Sequence, residues 1–166
     1  MSARLPGIVA VGEILWDLLP AGRQMGGAPA NFACHARALG ADARIISRVG
    51  DDPLGREILR RLKELQVPIN GVSVDPEKPT GTVSVELAAD GQPRFTIHPD
   101  VAWDRLSPDP TVMEIAASAD ALCFGSLAQR GEPSRSTIRA LMSAAPPGHQ
   151  GFRRQPAAEL LLARVD

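Results

Sequence analysis

Two glycines stand directly ahead of an apolar run in Gly26-Gly27-Ala28-Pro29-Ala30-Asn31-Phe32-Ala33. Glycines at such a turn let backbone N–H groups approach a ligand closely, and a helix starting there aims its free amides the same way. Asn31 adds a side chain that donates and accepts at once, and Asp17, a few residues earlier, supplies a carboxylate able to accept two hydrogen bonds from one molecule. Amides, a carboxamide and a carboxylate together suit a ligand rich in hydroxyl groups, such as a sugar, better than a bare charge. Taken singly, a glycine pair is an ordinary turn and a loop aspartate an ordinary surface acid. Only their combination points to a ligand site.

The remaining reactive side chains are dispersed. Cys34 and Cys123 have no CxxC spacing and sit among apolar neighbours, so they read as buried free thiols. His35, His98 and His149 show no metal-ligand spacing, and no metal site is expected. Phe95 lies in an alternating segment where it either packs on its own hairpin or touches the ligand. Trp103 reads as a packing residue.

These residues have to be held by regular elements. Ile8-Val9-Ala10-Val11-Gly12 is a short apolar run ending in glycine, hence a buried strand. A loop carrying Asp17 follows, then a helix over Pro29 to Leu39, with proline early and Gly40 late. Ala43 to Val49 reads as a second strand. Asp52-Pro53 then sets an N-cap ahead of the apolar stripe Leu54, Ile58, Leu62 and Leu65. Strand, helix, strand, helix implies parallel strands joined by crossovers, an α/β layered domain. The rhythm changes at Thr82 to Leu87 and Arg94 to His98, which alternate polar with apolar around Asp90-Gly91 and predict a hairpin flap with one apolar face. Beyond Trp103 a helix is expected near Val112 to Ser118, a strand at Ala121 to Phe124, and a helix from about Pro133 to Met142.

The 166 residues are 44% hydrophobic and 22% charged with a formal net charge of -1, enough chain for one core and no basic footprint for nucleic acid or an anionic membrane surface. The only early apolar run is too short for a signal segment or a membrane span, so a cytoplasmic location is expected.

The glycine motif, continued to Gly40 and Gly50, resembles the amino-terminal signature of the PfkB, or ribokinase-like, carbohydrate kinases. Gly12-Glu13 and Asp17 resemble that family's first strand and sugar-binding aspartate. Gly50-Asp51-Asp52-Pro53-Leu54-Gly55 looks like its second loop, and Thr80-Gly81-Thr82 like the start of its β lid, about residues 80–100. The resemblance implies a ribokinase-like layered α/β fold with an inserted hairpin lid, transferring the γ-phosphoryl group of ATP, with Mg2+, to a sugar hydroxyl. It implies substrate contacts from Asp17, Gly26, Gly27, Asn31 and Phe95, and for a full-length protein a homodimer through the lid. Ala28-Pro29, Phe95 to His98 and Ala102 to Asp104 look fructokinase-like, which favours fructose, with nucleosides left open.

The family's Gly-Ala-Gly-Asp motif, which supplies an anion hole and the general base, does not occur in these residues. No catalytic, nucleotide-binding or metal residue is therefore assigned. The expectation is a truncated member covering residues 1–147, inactive by itself. Residues 148–166 are expected to be a frameshifted tail, because synonymous codons for Phe152 to Asp166 read one base later yield the apolar-Asp-Val-Asn-Leu-Arg strand the family would place there. The alternatives are a non-catalytic sugar-binding or interaction module and a dinucleotide-binding domain. The second lacks the Gly-x-Gly-x-x-Gly pattern.

Overall fold

A computed structural model describes residues 4–87, 92–146 and 150–152. Its frame is a five-stranded parallel sheet made of β1 (Gly7–Val11), β4 (Asp42–Gly50), β5 (Val72–Asp75), β8 (Ala121–Phe124) and β9 (Gln150–Phe152), in the order β5-β4-β1-β8-β9. Alternation along the strands divides their side chains between two cores. Ala10, Ile45 and Val49 point to one face, where they meet Ala30 and Ala33 of α1 (Ala28–Ala38) and Ile58 and Leu62 of α2 (Pro53–Glu64). Val9, Val11, Ile46, Leu122 and Phe124 point to the other, against Val112 and Ile115 of α3 (Pro110–Ala117) and Ile138 and Leu141 of α4 (Ser134–Ala144). The result is a sheet between two helical layers, the arrangement the strand-helix alternation predicted.

The helix starts follow their sequence signals. The Asp52 side chain accepts from the Gly55 N–H at 2.7 Å ahead of Pro53, and Asp109 accepts from Val112 at 3.1 Å ahead of Pro110. Both aspartates satisfy an amide that the helix itself leaves free.

The segment between β1 and α1 differs from expectation. It is not a loop but a hairpin, β2 (Leu15–Leu19) and β3 (Gly22–Gly26). Strand β2 also pairs in parallel with β6 (Gly81–Leu87), which pairs antiparallel with β7 (Pro93–Ile97), so the expected flap is half of a four-stranded sheet ordered β3-β2-β6-β7. Leu15-Trp16-Asp17-Leu18-Leu19 lacks clean polar–apolar alternation because both of its faces are partly covered. Trp16 is fully buried against the body, its indole N–H donating to the Leu54 carbonyl at 3.1 Å, and Leu15 packs with Val83, Val85 and Phe95 on the opposite face. The hairpin's single apolar face is thus present, with Thr82 and Ser84 turned the other way onto His98. Strand β5 is a further element the sequence reading passed over.

Strand β9 pairs in parallel with β8, so the strand plan runs on to Phe152, past the expected boundary at 147. The Asp90-Gly91 turn and residues 153–166 of the expected tail lie outside the described residues. Cys34 and Cys123 are not disulfide-bonded and are half-buried, and burial pushes the Cys34 thiol up.

Candidate functional site

The strand order reverses at β1. Successive crossovers lead from it to β4 and β5 on one side, and the later strands β8 and β9 lie on the other. In open α/β sheets the crevice beyond the carboxyl ends of strands at such a reversal is where ligands bind, because adjacent connections there leave to opposite faces. Gly12 and Glu13 follow β1 at that point, and Gly125 follows β8.

Of the expected site residues, Asp17, Gly26 and Gly27 lie beside the end of β1, Asn31 lines an adjacent groove, and Phe95 packs within the smaller sheet. Asp17 sits mid-strand in β2, and its carboxylate lies against Gly26, where any side chain would collide with it. Gly27 caps α1 with φ 104°, a conformation that costs an L side chain, and a Cβ there would stand 2.5 Å from the Glu13 carbonyl oxygen. Gly27 is therefore required by the backbone path, whatever the ligand, whereas Gly26 leaves room for the Asp17 carboxylate. Asn31, one turn into α1, donates its backbone N–H to the Gly27 carbonyl at 2.9 Å. Its side chain lines a groove of about 690 Å³ together with Gln24, Met25 and Arg61. Gln24 is the cross-strand partner of Asp17, which brings that groove beside the strand carrying the carboxylate. Phe95 packs with Val83 and Val85 in its own hairpin, on the same face of the smaller sheet as Asp17.

Two acids mark the electrostatics. Among the described residues Asp17 has no hydrogen-bond or ion-pair partner, and burial pushes its carboxyl up to about 6. Glu13 is only 4% exposed, and its Oε2 has no hydrogen-bond partner among the described residues. Burial pushes it up to about 7, opposed by the nearby amides of Ala28 and Ala128 and by the charge of Arg130. Its carboxyl lies close to Gly125 and Pro29, so Glu13 stands where β1, α1 and the loop after β8 converge. The sequence reading noted Glu13 only as part of a motif. The available signal was an acid directly following a buried strand and its terminal glycine.

Asp52 behaves in the opposite way. Burial alone would raise it, but the amides of Thr80 and Gly55 and the Thr80 hydroxyl hold it below the usual carboxylate range. It ties α2 to the entry of β6, with both carboxylate oxygens already accepting hydrogen bonds from the fold.

Matching these residues to known proteins decides the family: the profile of the pfkB family carbohydrate kinases covers residues 21–150. The chain belongs to that family. A fructokinase of Klebsiella pneumoniae is 38% identical over 142 residues, 82% of this chain and 46% of that protein. Among solved structures, an uncharacterized sugar kinase of Pyrococcus horikoshii in complex with ATP superposes with a TM-score of 0.81 at 30% identity, covering 92% of this chain and 54% of that one. A Vibrio cholerae fructokinase bound to fructose, ADP and potassium gives 0.73 at 26% identity, covering 92% and 50%. The chain thus spans about half the length of the pfkB relatives it matches. The ribokinase-like fold expected from the sequence is the fold of these neighbours. Among the described residues no helix is long and apolar enough to cross a membrane.

Proposed function

We propose that this chain is the sugar-binding half of an ATP-dependent sugar kinase, with fructose as the favoured ligand. The observation that carries the reading is the unpartnered carboxylate of Asp17, held against Gly26 beside the amide-lined turn that opens α1. Ionised and short of water, it is placed to accept hydrogen bonds from two ring hydroxyls, while the start of α1 offers N–H donors to a third. Asn31 adds a carboxamide one turn further on. The smaller sheet stands beside this site as a cover, which in a kinase excludes water from a transferable phosphate. The fructokinases among the relatives support the choice of fructose over other hydroxyl-rich ligands.

The residues in hand do not fit ATP or its metal. Gly-Ala-Gly-Asp does not occur in the sequence, and among the described residues no group of three His, Cys, Asp or Glu side chains is placed to hold an ion. No step through the nucleotide is assigned to these residues.

Titration calorimetry of the purified chain with fructose, ribose and glucose, in the absence of nucleotide, tests the reading. Saturable fructose binding is expected. Asp17→Ala should weaken it by about 1.5–3 kcal/mol, since a charged acceptor is lost. A folded chain that binds none of the three sugars, or an Asp17→Ala variant that binds fructose as well as the wild type, would overturn it.

A further inference from the structure

The chain crosses between the parallel-sheet body and the smaller sheet four times, at residues 12–14, 26–28, 76–80 and 98–101. The first two crossings form the site. The third is pinned to the body by Asp52, whose Oδ2 accepts from the Thr80 N–H at 2.7 Å and whose Oδ1 accepts from the Thr80 hydroxyl at 2.8 Å. The fourth is joined to the third by the Ala102 N–H, which donates to the Pro79 carbonyl at 2.8 Å, and by the Lys78–Asp100 ion pair. Arg130 reaches it from across the molecule, out of the loop that follows β8.

Arg130 is held in three directions. Its Nε and Nη2 donate to the two carboxylate oxygens of Asp104 at 2.8 and 2.6 Å, and Nη2 also donates to the His98 carbonyl at 2.9 Å. Its guanidinium lies 4.1 Å from the centre of the Trp103 ring. Trp103, only 1% exposed, in turn rests against Gly81 at the start of β6, where a side chain would overlap the indole. One stacked pair therefore touches the smaller sheet at both ends of its β6–β7 hairpin, the entry through Trp103 and the exit through Arg130. A planar fork is needed for this: an ammonium would supply the charge but neither the paired bonds to Asp104 nor the flat stack.

We propose that Arg130 is a positioning residue, clamped between Asp104 and the face of Trp103, which fixes the angle of the smaller sheet over the site and so sets sugar affinity without touching the sugar. The inference rests on the sugar-binding reading above. The nearness of its charge to Glu13 adds a second tie between this clamp and the floor of the site.

The test uses the whole chain as wild type, Arg130→Ala, Arg130→Lys and Asp104→Asn, with two measurements. Amide hydrogen exchange without ligand compares β6 and β7 with β1 and β4, and calorimetry measures fructose affinity. The two Arg130 variants should exchange about tenfold faster in β6 and β7 with β1 and β4 unchanged, and fructose binding should weaken about three- to thirtyfold. Asp104→Asn should fall between them and the wild type. Unchanged exchange in β6 and β7, or an Arg130→Lys variant that matches the wild type, overturns the clamp. If Arg130→Ala does not fold, Arg130→Lys and Asp104→Asn decide. A wild-type chain that binds no fructose overturns the sugar reading, and the exchange measurement then decides the clamp by itself.

Discussion

Replacing Asp17 with Asn should make the ligand-free chain more stable at pH 7 while removing most of its affinity for sugar. Burial raises the folded-state pKa of Asp17 from 3.8 to about 6, so the folded chain holds that proton more tightly than the unfolded chain does. A carboxyl shifted in this direction contributes stability that is fully present below pH 4 and is lost as pH rises towards 6. At pH 7 the group is ionised in both states, and the folded state bears the whole cost. The gap between 3.8 and about 6 corresponds to about 3 kcal/mol. Asp17 is only partly buried, and solvent screening reduces this to roughly 1–2 kcal/mol. The neutral carboxamide of Asn avoids that cost at nearly the same volume. In a domain of this size the gain should raise the Tm by about 2–8 °C. Thermal melts of wild type and Asp17→Asn followed by circular dichroism at pH 7 and pH 4 measure it. The difference should be present at pH 7 and shrink to a small fraction of that at pH 4, where the folded wild-type group is protonated. Fructose titrations of the same samples should show at least a tenfold loss of affinity in the variant. A variant that is less stable than wild type at pH 7, or equally shifted at both pH values, would refute the desolvation argument.

Three further outcomes follow from the same geometry. Fructose affinity of the wild type should fall as pH drops below about 6, because protonation of Asp17 replaces a charged acceptor with a neutral one; calorimetry at pH 7.5 and 5 checks it, and equal affinities would contradict it. Gly27→Ala should cost about 1–3 kcal/mol in urea unfolding, from the 104° φ and the approach of a new Cβ to the Glu13 carbonyl. Asp52→Ala should cost about 2–4 kcal/mol, since it removes the α2 cap and both bonds to Thr80.

Local sequence signals were sufficient where one physical rule dominated. The buried strands β1, β4 and β8 were legible as short apolar runs, and α2 as an Asp-Pro start followed by an apolar stripe. The α1 boundaries followed from proline and glycine alone. The β2–β3 hairpin was not legible, because Trp16 and Leu15 are buried on opposite faces by different partners, the body and the smaller sheet, so neither a strand nor a helix period appears. That one omission placed Asp17 in a loop and reduced a four-stranded sheet to a flap. Among the site residues, a tight glycine turn ahead of α1 was legible, but the neighbours that crowd it, the Glu13 carbonyl at Gly27 and the Asp17 carboxylate at Gly26, were not. The burial of Glu13 was not, since it depends on α1 and the loop after β8 closing over the end of β1, a long-range fact that no local pattern encodes.

The three buried or half-buried acids near the site sort themselves by the sign of their shifts. Asp52 is held below the usual range because amides and a hydroxyl from two segments already bond to it, so its charge stabilises the fold. Asp17 and Glu13 are raised because the fold takes water from them without supplying equivalent partners. Selection for stability alone would replace both with neutral residues, since a deprived carboxylate opposes folding at neutral pH. Of the two, Asp17 lies open on the sheet face beside the glycine turn, where a ligand can restore its hydrogen bonds, and Glu13 is sealed beneath that turn. Under the proposed function, the first is the contact that a sugar would complete. The second costs stability at the junction of β1, α1 and the loop after β8, the three segments that must keep a fixed spacing for Asp17 and the amides of α1 to meet the same molecule.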